Sequence, residues 1–173
     1  MIKKLIPPIL IGSIFFVVGC QAPAGSDGKN LAIVQQYVDA VKNNDLDAMG
    51  ALLSDNYLGL GPSVGDSTNK QLALESWQYN SENVYESISY DMMQLLEVSV
   101  PDGPAKGEWV ANWSLVTIMY KDGRGPVSLW VNVVYKVEDG KIARSRTFYN
   151  EADVYSQLGY RLFPPLQLPD DES

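Results

Sequence analysis

WVANWSLVTIMYKDG, residues 109–123, is the stretch whose reading decides the fold. Trp109, Ala111, Trp113, Leu115, Thr117 and Met119 recur at every second position, the period of a strand whose side chains alternate between two faces. Asp122-Gly123 then supplies a hairpin signal. Working outward, Val127 to Val137 reads as the next strand, Asp139-Gly140 as a tight turn, and Ile142 to Asn150 as the last strand. On the other side the period of two begins at Tyr85, where Ile88, Tyr90 and Met92 alternate with Ser87, Ser89 and Asp91. Pro101 to Gly107 is a turn-rich break between these strands.

The chain before Tyr85 has a different rhythm. Val34, Tyr37, Val38 and Val41 stand at i, i+3, i+4 and i+7, one face of an amphipathic helix over about Asn30 to Asn43. Asn44 is placed to cap a second helix, with Asp45 and Asp47 in its first turn and Leu46, Met49 and Leu53 as its apolar stripe. Tyr57 to Leu60 is a short extended segment. Thr68 to Asn80 reads as a third helix carrying Leu72, Leu74 and Trp77. Ala152 to Leu158 reads as a short final turn of helix. Helices first and antiparallel strands afterwards predict an α+β domain in which three N-terminal helices pack in a curved, mostly antiparallel sheet.

Composition narrows the chemistry. The 173 residues include one cysteine and no histidine, with 13 basic and 21 acidic side chains for a net charge of −8. Without histidine there is no Ser-His-Asp triad, no Cys-His pair and no histidine-ligated metal. One cysteine excludes an internal disulfide and CxxC chemistry. The acidic balance disfavours nucleic acid as a partner. Gly59, Gly61, Pro62 and Gly65 form no phosphate cradle, because Pro62 interrupts the glycines and no lysine follows in register. No cofactor and no metal site are expected. Asp170, Asp171 and Glu172 read as solvated charge.

The N-terminus reads as an address. Lys3 and Lys4 precede an apolar stretch, Leu5 to Val18, too short to span a bilayer comfortably and suited to a secretory signal. It ends in Val17-Val18-Gly19-Cys20, which resembles the lipobox of bacterial lipoproteins. The resemblance implies that residues 1–19 are removed and that Cys20 becomes the lipidated N-terminus, in the cell envelope. Gln21 following the cysteine implies the outer membrane. Cleavage would remove Lys3 and Lys4 and no acid, leaving 11 basic against 21 acidic residues, a balance of −10. Residues 20–29 read as a flexible tether, 30–160 as the domain, and 161–173 as a Pro-rich, acidic tail.

The order of elements resembles the NTF2-like (SnoaL-like) superfamily, a cone-shaped α+β fold. The residues that carry the likeness are Tyr37-Val38-Asp39-Ala40-Val41, the Asn44-Asp45 break and Leu52 to Tyr57. At the far end they are Val133 to Glu138, Gly140-Lys141-Ile142 and Arg146 to Asn150. Against the ketosteroid isomerase pattern within that superfamily, Tyr37 matches the oxyanion-hole tyrosine, a donor to a developing enolate. The catalytic Asp matches Gly61, and the second donor matches Leu129. The resemblance therefore implies the fold without that enzyme's base.

Strand parity then nominates a chamber. Trp113, Leu115, Thr117 and Met119 are expected to face inward, with Leu129, Val131, Val133 and Tyr135, and with Ser145, Thr147 and Tyr149. Tyr37, Tyr57 and Trp77 close it from the helical side. Such a lining suits a small apolar or aromatic ligand, although the same side chains could simply fill the cone. The outer face is expected to hold Val110, Asn112, Val116, Ile118, Tyr120, Trp130, Asn132 and Val134, with Arg144 and Arg146, and to meet either a second copy or the C-terminal segment. The expected function is a non-catalytic, lipid-anchored binding module for a small ligand or a protein partner. The alternative is an enzyme, a lyase, isomerase or hydrolase, that uses Tyr37 with Asp55, Asp66 or Asp91.

Overall fold

A computed structural model of the chain describes residues 28–161 and 163. The expected signal segment, Cys20, most of the expected tether and nearly all of the acidic tail lie outside the described residues. The described elements are, in order, α1 (Lys29–Lys42), α2 (Leu46–Leu52), β1 (Leu53–Leu60), β2 (Ser67–Asn69), α3 (Lys70–Asn83), β3 (Tyr85–Val100), β4 (Gly107–Tyr120), β5 (Val127–Glu138), β6 (Lys141–Tyr149) and α4 (Glu151–Gln157). The strands form one sheet in the order β2-β1-β6-β5-β4-β3. Its pairs are antiparallel except β1 with β6, which is parallel. This is the α+β architecture expected from the helix-then-strand order, and the cone-like arrangement that the NTF2-like resemblance implies.

The apolar stripe of α1 does what its spacing predicts: Val34, Tyr37, Val38 and Val41 are all buried, with Ala40 beside them. They meet Met49 of α2, Leu53 of β1, Val110 of β4, Tyr135 and Val137 of β5 and Ile142 of β6 in one core. The cap of α2 is one residue later than expected. Asp45, not Asn44, accepts from the Ala48 N–H at 2.9 Å, while Asn44 takes a left-handed turn conformation at φ 55°. Replacing Asp45 with Ala should cost about 1 kcal/mol by leaving a first-turn donor unpaired. A urea melt with an unchanged midpoint would show the cap contributes nothing.

Sequence periodicity missed β2. Residues 67–69 pair with β1, Leu58 opposite Asn69 and Leu60 opposite Ser67. The third helix therefore starts at Lys70, with Asn69 accepting from the Leu72 N–H at 2.9 Å. Leu72, expected on the apolar stripe, is exposed, and Ala73 is the residue buried. β1 itself begins at Leu53, four residues before the expected segment, because Leu53 pairs with Ile142 of β6.

Two register facts correct the expected faces. In β3 the pairing shifts between Asp91 and Gln94, and Met92 sits at φ 49°. This bulge inserts one residue. Ile88 and Tyr90 point inward before it, Met93 and Leu95 after it, while Met92 is 70% exposed. In β4 the expected face is inverted. Val116 pairs with Leu129 and Asn112 with Val133, so even-numbered residues of β4 share a face with odd-numbered residues of β5. Leu129, Val133 and Tyr135 face inward as expected. It follows that Val110, Asn112, Val116, Ile118 and Tyr120 face inward too, and Trp113, Leu115, Thr117 and Met119 face out.

Candidate functional site

Inside the cone lies a cavity of about 420 Å³. That is far more than a few waters need, so the aromatic side chains do not simply fill it. The helices contribute Tyr37 from α1 and Trp77 from α3, and β1 contributes Tyr57. Tyr85, Tyr90 and Tyr120 come from β3 and β4, Tyr135 and Tyr149 from β5 and β6. Seven of the ten tyrosines in the chain thus converge on one wall. Leu129, Ser145 and Thr147 join them as expected.

Trp113 and Thr117 do not. Trp113 is 42% exposed on the outer face, and Thr117 bonds there to Ser128, 3.0 Å between hydroxyls. Sequence reasoning placed Tyr120 on the outer face and did not assign Tyr85 or Tyr90 to the chamber. The pairing of Tyr85 with Tyr120 and of Tyr90 with Val116 puts all three on the inner face.

The hydroxyls are anchored by neutral partners. Tyr57 and Ser145 share a buried hydrogen bond of 2.7 Å. Glycine at 59 permits this, since a Cβ there would lie 2.7 Å from the Tyr57 oxygen. Trp77 lies beside the Tyr37 hydroxyl and Asn112 beside that of Tyr135, and each partly offsets the effect of burial there. Asn112 is buried and in turn accepts from the Ser114 hydroxyl at 2.7 Å. Tyr37 and Tyr135 meet edge to face, with ring centroids 6.0 Å apart.

Burial raises every one of these tyrosines. Loss of solvent is the largest cause for Tyr37, with neighbouring Tyr57 and Tyr90 adding to it. Tyr135 is held well above the ordinary range for the same reason, and Tyr90 is pushed up to about 12. Tyr57, Tyr85, Tyr120 and Tyr149 are raised as well. At neutral pH the wall consists of protonated phenols, which can donate hydrogen bonds and serve poorly as bases.

Among the described residues, no Asp, Glu, Lys or Arg belongs to the wall. The carboxylates nominated from sequence lie elsewhere. Asp55 is 99% exposed in its side chain and pairs with Lys70 at 3.0 Å, which holds its carboxyl below the usual range. Asp91 is exposed beside Ser89. Asp66 is exposed in the turn after β1, next to Gly61 at the edge of the wall. Gly61 and Leu129, the positions matched to the isomerase's base and second donor, are both on the wall. Among the described residues, no cluster of three or more potential metal ligands exists.

On the outer face, Trp113, Trp130 and Phe148 stand exposed around a shallower groove that also includes Asn132 and Asn150. Arg144 and Arg146 are exposed on the same side of β6, as expected.

The sequence profile of the SnoaL-like domain matches residues 34–145. No curated protein matches the chain. Among solved structures, an NTF2-like protein of unknown function from Burkholderia pseudomallei superposes with a TM-score of 0.61 at 13% identity, over 76% of this chain and 98% of that one. A candidate polyketide cyclase from Pseudomonas putida gives 0.59 at 20% identity, over 72% and 94%. An epoxide hydrolase of the LEH-like type from Mycobacterium tuberculosis gives 0.55 at 19%, over 75% and 89%.

Proposed function

The chain belongs to the SnoaL-like domain family, and from that premise we propose that it is a binding module rather than a catalyst. Its chamber holds a small, largely apolar molecule, and Cys20 anchors it to the bacterial cell envelope. The observation that carries this reading is a cavity of about 420 Å³ walled by tyrosines without an acid or base. Cyclisation and epoxide hydrolysis, the chemistries named for two of the neighbours, require proton transfer by a group within hydrogen-bond reach. In this chain the nominated carboxylates face solvent, and the phenols are held protonated. A cavity of this size and polarity can bury most of a compact ligand, with the hydroxyls and Thr147 fixing its polar edges. Native mass spectrometry of the purified protein should show a retained or readily acquired small apolar molecule. A chain that neither retains nor takes up such a molecule ends this reading.

The anchor is supported by the sequence alone. Lipid on Cys20 would hold the domain at the membrane, stably if more than one acyl chain is attached. Cys20→Ala should abolish incorporation of labelled fatty acid and move the protein from the membrane to the soluble fraction. Continued lipid labelling of the variant would overturn the anchor. The outer face, with Trp113, Trp130 and Phe148 exposed, is the surface proposed for a second copy of the chain. A monomer at high concentration in sedimentation would refute that partner.

A further inference from the structure

We propose that the chamber selects an organic cation, a quaternary or tertiary ammonium carried on an apolar body; this rests on the chamber being a binding site at all. Three observations point the same way. The first is ring identity. The wall carries seven tyrosines and Trp77, and neither described phenylalanine, Phe148 or Phe163, is among them. Aromatic rings attract cations through their negative faces, most strongly with Trp and then Tyr. A chamber needing only apolar area would be served as well by phenylalanine.

The second is ring arrangement. Trp77 and Tyr85 meet at 62° with centroids 6.5 Å apart, and Tyr85 and Tyr120 at 79° and 5.7 Å. Successive near-perpendicular rings form the corner of a box, the arrangement that presents several faces or oxygens to one compact charge. The hydroxyls of Tyr37, Tyr57, Tyr90 and Tyr135 lie close enough to influence one another.

The third is the electrostatics of the wall and its rim. No lysine or arginine belongs to the wall, so an anion would enter uncompensated. The acids lie around it. Asp66 adjoins Gly61, where a Cβ would be 3.1 Å from its carboxylate oxygen. Glu151 opens α4, whose Val154 is on the wall. Both act on the Tyr149 hydroxyl. Arg124, which faces Tyr120, is neutralised by Asp122 at 2.6 Å. The whole chain carries −8, so cations are drawn toward it over the range that salt allows.

The experiment uses the purified full-length chain and a pair of probes of equal shape, phenyltrimethylammonium and tert-butylbenzene, with benzenesulfonate as the anion. Calorimetry at low salt should show the cation binding about tenfold or more tightly than its neutral isostere, and the sulfonate not binding. Leu129→Trp, which places an indole in the cavity, should abolish cation binding. The exposed pair Asp66→Asn and Glu151→Gln should weaken the cation severalfold and flatten its salt dependence, leaving tert-butylbenzene unchanged. Equal or tighter binding of tert-butylbenzene overturns the charge selectivity while the chamber stands as a binding site. Cation binding that survives Leu129→Trp also overturns the proposal, because the cation then sits elsewhere. Binding of neither probe overturns it as well, and the retained-molecule measurement then decides the chamber separately.

Discussion

Raising the pH from 10 to about 12 should unfold the protein cooperatively. The sign follows from the tyrosines. Each folded-state value is raised above the ordinary 10.0 by burial. The stability they hold is therefore intact below pH 10 and is lost as the pH climbs through the folded values. Above pH 10 the unfolded chain releases phenolic protons that the folded chain must keep. Tyr90, at about 12 in the fold, gives up about 2 kcal/mol by pH 12. Tyr37 lies higher still and loses close to the full linkage slope, about 1.4 kcal/mol per pH unit, and Tyr135 is raised in the same direction by burial. Tyr37 and Tyr90 together remove about 5 kcal/mol, with Tyr135 acting in the same direction, which reaches the whole stability of a marginal domain. Circular dichroism and tyrosinate absorbance should therefore change together in one transition. A folded protein at pH 12 whose tyrosines titrate independently near 10 would refute the buried phenolic wall.

The second large effect is expected from Ile142→Ala. Ile142 and Leu53 are both fully buried and are Cα partners where β1 runs parallel to β6. Here β1 joins the rest of the sheet, and the core meets Met49, Val34 and Val38. Truncation removes apolar contact and leaves a cavity that a sheet on one side and two helices on the other can only partly close. The cost should be about 2–5 kcal/mol. Leu53→Ala should cost a similar amount, and the double variant less than the sum, since the two share one space. Urea midpoints measure all three. A loss below about 1 kcal/mol for Ile142→Ala would mean the site repacks freely.

The helical half of the fold was legible because α1 has one apolar stripe and no competing one: Val34, Tyr37, Val38 and Val41 admit a single orientation. β4 has two. Trp109, Trp113 and Leu115 form one apolar series, Val110, Val116 and Ile118 the other, and periodicity alone ranks them almost equally. The register matched to the resembling superfamily chose the wrong face. Parity is set by the pairing of β4 with β5, a relation between strands that no single strand contains. Polarity is no guide in the same place, since Asn112 and Ser114 are buried with the Ser114 hydroxyl donating to Asn112 while Trp113 is half exposed. β2 has only three residues, too few for any period to emerge. In the chamber, Tyr37, Tyr57, Trp77, Tyr135 and Tyr149 were readable because each sits on an element whose facing was unambiguous. Tyr120 was lost with the inverted face of β4.

The bulge at Met92 has a consequence for how the gene encoding this domain can change. Its side chain is exposed, so a point replacement there meets little resistance from packing. Removing the residue outright would leave the facing of the strand unchanged as well. Shortening β3 by one would restore strict alternation across the bulge. Ile88, Tyr90, Met93 and Leu95 would then fall at every second position and all keep their inward facing, and β3 would lose only the local bend and added twist of the bulge. Met92 thus records a bend rather than a register: the faces of β3 survive its loss, while its left-handed backbone favours glycine or asparagine over a β-branched residue.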